Sequence, residues 1–218
     1  GALGADTVGS KSVAIGMNAL ETQNMGSATD TYNVAVGFEA GQLLTTGTNN
    51  TFIGGLSGDG NTDGNTNTAV GSQTLRANQR GDKNTAIGYK ALIDMNPSGD
   101  VDTYNTAVGF FAGVSITTGV ENTLIGASSG DALTDADYNT ALGNAALGSD
   151  TKGSRSVAIG HNALTNQNFT SATDAHNVAV GQNAGLNVTT GDQNTYIGGK
   201  AGVLTTDGRQ NVAVGYHC

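Results

Sequence analysis

The sequence predicts an all-β fold, a parallel β-solenoid, and three observations predict it. Glycine fills 34 of 218 positions against one proline, five phenylalanines and no tryptophan, so the chain has neither a bulky aromatic core nor the Gly-X-Pro period of collagen. A five-residue phrase recurs along the whole chain: Asn or Ser, Thr or Val, a variable residue, an aliphatic residue, then glycine. The spacing of the phrase is fixed, with intervals of 21, 17, 17 and 17 residues repeating as a 72-residue unit. Three such super-repeats, 1–72, 73–144 and 145–216, make residues 1–218 one repetitive solenoid of about twelve coils, each of 17 or 21 residues. A 17-residue coil is too short for a pair of helices but suits short β-branched strands separated by tight turns.

The strand comes first in each coil. Side chains alternate between the two faces of a strand, so the aliphatic fourth position is expected to form an interior column. It comprises Ile15, Val36, Ile53, Val70, Ile87, Val108, Ile125, Leu142, Ile159, Val180, Ile197 and Val214. The third position is then expected to face outward. It is Ala in nine coils and Phe52, Leu124 or Tyr196 in the others, which makes those three candidate surface contacts.

The corner follows. Gly16, Gly37, Gly54, Gly71, Gly88, Gly109, Gly126, Gly143, Gly160, Gly181, Gly198 and Gly215 close the phrase and are expected to take φ > 0 where the strand ends. Asparagine at the first position would bond turn backbone and stack as an axial amide ladder, with Ser12 and Ser156 replacing it twice. Thr-Thr-Gly or Thr-Asp-Gly, as at 45–47 and 62–64, marks a second turn in the 17-residue coils. The four extra residues of the long coils 12–32, 84–104 and 156–176 are expected to protrude as loops. At the ends of neighbouring coils, Lys11, Lys83 and Arg155 would meet the rings of Tyr32, Tyr104 and His176 in cation–π pairs that knit coils together.

The phrases NTAVGFFAG, NTAIGYKAL, SVAIGHNAL and NTLIG resemble the head repeats of trimeric autotransporter adhesins. They are still more similar to longer repeats of phage tail-fibre-like and bacterial surface fibre proteins. The resemblance spans essentially the whole chain. It implies a left-handed parallel β-roll assembled as a parallel homotrimer, and an extracellular place on a cell surface or virion. The chain differs from the adhesin heads in its longer coils and in lacking a recognisable stalk or anchor segment.

Function classes narrow in parallel. Eighteen Asp and Glu against nine Lys and Arg give a formal charge of −9, which argues against nucleic acid and acidic membrane faces as partners. No apolar run approaches the roughly 20 residues of a spanning helix. The lone Cys218 excludes an intrachain disulfide. His161, His176 and His217 occupy different coil positions without a nucleophilic partner, so no enzyme and no catalytic residue is expected. Asp30, Asp102 and Asp174 recur once per super-repeat, which is too sparse for calcium, and the sequence predicts no metal and no cofactor.

The expectation is a structural extracellular fibre or adhesin module that forms a rod and presents loops for attachment to a surface glycan or receptor. A homo-oligomer is expected, a trimer favoured, because thin coils of Ala, Val, Ile and Thr bury little area against the entropy of ordering them. Twelve coils at roughly 4.8 Å each would span about 57 Å. Residues 211–216 and 1–11 together complete one 17-residue coil, so head-to-tail stacking into a self-polymerising filament is the alternative expectation. A carbohydrate- or ice-binding solenoid ranks below both, since an ice-binding face needs Thr-x-Thr in every coil, whereas the second-position Thr is followed two residues on by Val, Ile or Leu and is itself Val in five coils.

Overall fold

The computed structural model describes residues 1–218 and contains strands and turns without a helix. It is a parallel β-solenoid of about twelve turns, with successive strands 17 or 21 residues apart. The chain divides into two compact units, Gly1–Asn105 and Thr106–Cys218. This division does not follow the super-repeat boundaries.

The first unit contains β1 (Gly9–Ser10), β2 (Val13–Ile15), β3 (Thr29–Asp30), β4 (Val34–Val36), β5 (Thr51–Ile53), β6 (Thr68–Val70), β7 (Gly81–Asp82), β8 (Thr85–Ile87) and β9 (Val101–Asp102). Its main ladder runs β2-β4-β5-β6-β8, every pair parallel and in register, with Ala35 opposite Phe52 and Phe52 opposite Ala69. The second unit contains β10 (Thr106–Val108), β11 (Thr123–Ile125), β12 (Thr140–Leu142), β13 (Gly153–Ser154), β14 (Val157–Ile159), β15 (Thr173–Asp174), β16 (Val178–Val180), β17 (Thr195–Ile197) and β18 (Val212–Val214). Its main ladder is β10-β11-β12-β14-β16-β17-β18. Two-stranded pairs β1–β3, β7–β9 and β13–β15 bracket the long coils.

The phase of the strands is opposite to the sequence-based expectation. The third position points inward: Ala35, Phe52, Ala69 and Ala86 in the first unit, and Ala107, Leu124, Ala141 and Ala179 in the second, are fully buried. Tyr196 is 1% exposed. The predicted interior column is instead on the outside: its exposed members run from Val214 at 66% and Ile15 at 60% to Ile125 at 37%, with Leu142 at 44%. Val36, Val70, Val108, Ile159 and Val180 are half-buried, while Ile53, Ile87, Ile197 and Val214 are exposed. Phe52, Leu124 and Tyr196 are therefore core residues and not surface contacts.

The reason lies in the width of the coil. A leucine four residues after the corner glycine (Leu20, Leu75, Leu92, Leu147, Leu164) reaches across the interior and is fully buried. The strand opposite such a leucine can supply only an alanine. Where the strand carries a ring, the leucine is replaced by glycine: a Cβ on Gly58 would lie 2.5 Å from the Phe52 ring, and one on Gly202 would overlap Tyr196. Leu44, Ile116, Leu133 and Val188 fill the other wall.

Backbone geometry repeats with the sequence. The corner glycines have φ between +126° and +146°, as at Gly54 with +130°, where a Cβ would strike the backbone of Gly71 in the next coil. The first-position amides form a ladder. Asn50 Nδ2 donates to Gly64 O at 2.8 Å while its Oδ1 accepts the Asn67 backbone N–H at 2.9 Å, and Asn67 repeats this with Gly81 O and the Asn84 N–H. In the second unit Asn139 Oδ1 accepts the Ser156 N–H at 2.9 Å, so the serine continues the ladder through its backbone while its Oγ accepts from Gln167 Nε2 at 3.1 Å. The wide interior of the long coil 156–176 is closed by Asp150, fully buried, which accepts from the Gly153 and Phe169 N–H groups and from Gln167 Nε2. In the long coil 84–104 Met95 stands in the place of Gln167 and Asn78 in the place of Asp150, so the polar pair is exchanged as a set.

A few buried polar atoms are left without a partner, among them both side-chain amide atoms of Asn61 and the hydroxyl of Tyr196. Tyr196→Phe recreates the residue that occupies the equivalent position 52, and is expected to raise stability by about 1 kcal/mol, since an unpaired buried hydroxyl costs roughly 1–3 kcal/mol. Urea unfolding of the two chains side by side measures it, and a loss of stability would contradict the packing.

Candidate assembly face and loop clasps

The second and fourth positions of every strand lie on one face because they are two residues apart. In the first unit this face presents Val13 and Ile15, Val34 and Val36, Thr51 and Ile53, Thr68 and Val70, Thr85 and Ile87. The second unit presents the corresponding pairs from Thr106 and Val108 to Val212 and Val214. No charged residue interrupts the face in either unit. A flat sheet surface of β-branched side chains with several residues 37–60% exposed is what a folded protein ordinarily covers with something else. The face was missed as such in the sequence because its aliphatic half was assigned to the interior. The signal that would have found it is that corner leucine occurs only in coils whose strand carries alanine, while Phe52, Leu124 and Tyr196 each go with a corner glycine.

Aromatic residues flank the face just past the corner. Phe38, Tyr89 and Phe110 are exposed, and Lys90 Nζ stands 5.3 Å from the Tyr89 ring centroid.

The long loops are fastened by a cluster that recurs with the super-repeat. Lys11 Nζ donates to Asp30 Oδ2 at 2.6 Å and to Tyr32 Oη at 3.0 Å, and lies 5.0 Å from the Tyr32 ring centroid. Lys83 repeats the arrangement with Asp102 at 2.6 Å, Tyr104 Oη at 3.1 Å and its ring at 5.0 Å. In the third super-repeat Arg155 Nε meets Asp174 at 3.0 Å but stacks on Tyr138 at 4.6 Å, not on His176. The expected Arg155–His176 pairing is thus replaced, because the planar guanidinium finds a flat ring on the preceding coil. His176 is exposed.

The hydrogen bond from Lys83 holds the Asp102 carboxyl below its usual range, and the bond to Asp102 raises the Lys83 ammonium. A carboxylate depressed in the folded state stabilises above its unfolded pKa, and that contribution is lost as pH falls through the folded value; a raised lysine stabilises below its unfolded pKa and loses this as pH rises through the folded one. The clasp is therefore complete across neutral pH and opens on acidification. All its groups are solvated, so the effect is local to the loop. Lys83→Met is expected to speed proteolysis within residues 96–100 at pH 7 with an unchanged global unfolding midpoint. Limited digestion followed by mass spectrometry checks it, and equal cleavage of both chains would count against the clasp.

A shallow depression of about 270 Å³ in the first unit is lined by Asp59, Gly60, Arg76, Ala77, Ile93 and Asp94. Burial pushes the Asp59 carboxyl up, and Arg76 Nε lies 3.5 Å from its Oδ2. No three His, Cys, Asp or Glu side chains converge to hold a metal ion. No helix is long and apolar enough to cross a membrane. No family model, curated protein or solved structure matches the chain.

Proposed function

We propose that the chain is a non-catalytic structural module of an extracellular fibre, a homo-oligomer whose copies pack side by side through the aliphatic face. The observation that carries this reading is the uncharged outward array of Thr, Val and Ile on the main ladder of each unit, joined by Leu142 in the second, set against a narrow coil interior filled largely by alanine and one or two larger apolar side chains per turn. Such a narrow interior buries little apolar area per ordered residue, and covering the face supplies the burial the coil lacks. The resemblance to adhesin heads and tail-fibre repeats supports a trimer and an extracellular place. The loops clasped by Lys11, Lys83 and Arg155 lie away from the strand phrase and are the surfaces such a module offers to a receptor or glycan. Sedimentation of the purified chain is the test: a discrete oligomer at micromolar concentration is expected, and a stably folded monomer would overturn the reading.

A second reading is favoured by one observation. Three successive outward threonines, Thr51, Thr68 and Thr85 in the first unit and Thr106, Thr123 and Thr140 in the second, set short arrays of hydroxyls on the sheet of the kind an ice-binding surface uses. Thermal hysteresis by a monomeric chain would select it over assembly.

A further inference from the structure

The two clasps of the first unit differ at one position. In the first, Ser10 and Asp30 are register partners on β1 and β3, and both oxygens of the Asp30 carboxylate are used. Its Oδ1 accepts from Ser10 Oγ at 2.7 Å, and its Oδ2 from Lys11 Nζ at 2.6 Å and Tyr32 Oη at 3.4 Å. In the second, Asp82 stands in the place of Ser10 and is the register partner of Asp102 on β7 and β9. Asp102 Oδ2 keeps its lysine and its tyrosine, Lys83 Nζ at 2.6 Å and Tyr104 Oη at 2.9 Å, but its Oδ1 has no donor. An ionised carboxylate only accepts, so Asp82 in that form does not supply the bond that Ser10 does. The corresponding residue of the second unit is serine again, Ser154 opposite Asp174.

We propose that the second clasp is a proton switch: in mild acid Asp82 takes up a proton from water and donates it as a hydrogen bond to Asp102 Oδ1, fastening the loop 96–100 with the bond that Ser10 gives the first clasp at every pH. The switch belongs to the single chain and acts whether or not copies assemble. Register partners on parallel strands stand about 5 Å apart, so two ionised carboxylates there repel, and one proton between them replaces repulsion by a bond. The contacts of Asp102 with Lys83 and Tyr104 are already made at neutral pH; the bond to Oδ1 is what mild acid adds.

The surroundings decide which carboxyl takes the proton. Asp82 is half-buried, and its Oδ1 accepts the Asn65 N–H of the preceding coil at 2.6 Å, which leaves Oδ2 for the proton. Asp100 and Asp102 act on it from the loop side, and no cation pairs with it, because Arg80 is engaged with Asp63 and Lys83 with Asp102. Burial first, and then the charges of Asp102 and Asp100, hold the Asp82 carboxyl above its usual range, while the bond from Lys83 holds Asp102 below. A carboxyl raised in the folded state binds its proton more tightly there than in the unfolded chain, so its contribution is gained as pH falls through the folded value. The lowered Asp102 loses its own contribution only on further acidification. Between the two values Asp82 is neutral while Asp102 is still charged, and there the second clasp has three donors, as the first has throughout.

Hydrogen exchange on the full chain tests the switch, with the first clasp as a control in the same unit. The Thr103 N–H donates to Asp82 O and the Thr31 N–H to Ser10 O, so these two amides report the two clasps. After correction for intrinsic rates, the protection of Thr103 is expected to rise about threefold or more from pH 7 to pH 4, the effect of one added hydrogen bond, while that of Thr31 does not rise. Asp82→Ser installs the residue present at positions 10 and 154, and Asp82→Asn an amide; both side chains donate at every pH. Each is expected to give the higher protection already at pH 7 and to abolish the rise, so one variant decides if the other folds poorly. Equal responses of Thr103 and Thr31 to acid, or a rise that survives in the variants, overturns the switch.

Discussion

Under the proposed assembly through the aliphatic face, Ile125→Asp with Leu142→Asp is expected to leave a folded monomer. Both side chains are substantially exposed in the single chain, at 37% and 44%, so a carboxylate there stays in water while the chain is alone. Its local cost is the weak aversion of a strand for aspartate, within about 1 kcal/mol. On assembly the same two groups enter an uncharged face with no cation to meet them. Desolvating an unpaired carboxylate costs several kcal/mol after relaxation, and like charges from neighbouring copies add repulsion. Two such layers are expected to weaken association by more than about a thousandfold, equivalent to roughly 4 kcal/mol. Sedimentation reads the loss, and far-ultraviolet circular dichroism reads the retained strands. Ile116→Asp is the control: Ile116 is fully buried, and its replacement is expected to unfold the chain. An oligomer of unchanged size after the double substitution would show that copies meet elsewhere.

The period, the coil count, the corner glycines, the asparagine positions and the parallel register were all legible in the sequence, because each is written once per coil by a residue with few physical substitutes. Only glycine reaches φ of +130° beside the backbone of the next coil, as Gly54 does against Gly71. The inward phase was not legible from alternation alone. Alternation states that positions two and four share a face and leaves open which face is inside. Hydrophobicity favoured placing Ile15 and its equivalents within. What decided otherwise is the space between two walls 17 residues of chain apart, which Leu75 fills from the corner and which leaves room for Ala69 on the strand. That constraint joins residues six apart in each coil and is invisible to any pattern read on the strand by itself. The clasp partner of Arg155 was unreadable for a related reason: Tyr138 stands one coil before it and His176 one coil after, and only geometry chooses between two rings equally near in the stack.

Gly58→Leu is expected to be the most disruptive single substitution in the first unit, and its rescue by Phe52→Ala would establish how the interior is filled. A Cβ at residue 58 lies 2.5 Å from both Cδ1 and Cε1 of Phe52, which is fully buried and has no room to turn away. The backbone itself is not the obstacle. Gly58 has φ +59°, and Leu75 and Leu92 occupy the equivalent place in the following coils at +47° and +50°. Strain from a left-handed leucine accounts for about 1–3 kcal/mol, and overpacking against the ring adds a similar amount or more. Phe52→Ala alone leaves a cavity and is expected to cost about 3–5 kcal/mol. The two together reproduce the Ala69 with Leu75 pairing of the next coil, in which the leucine fills the space the ring vacates. The double variant is therefore expected to unfold within about 2 kcal/mol of the parent, with a coupling energy of several kcal/mol between the sites, larger than the 0.5–3 kcal/mol usual for residues in contact. Additive losses in urea titrations would mean that ring and leucine do not compete for one space. Coils with alanine on the strand and glycine at the corner, such as Ala35 with Gly41, receive instead the Phe52 and Leu20 side chains of their neighbours. Strong coupling would mean that strand and corner compete for one space in this coil, and that the outward face is left to Ile, Val and Thr because the interior has no place for them.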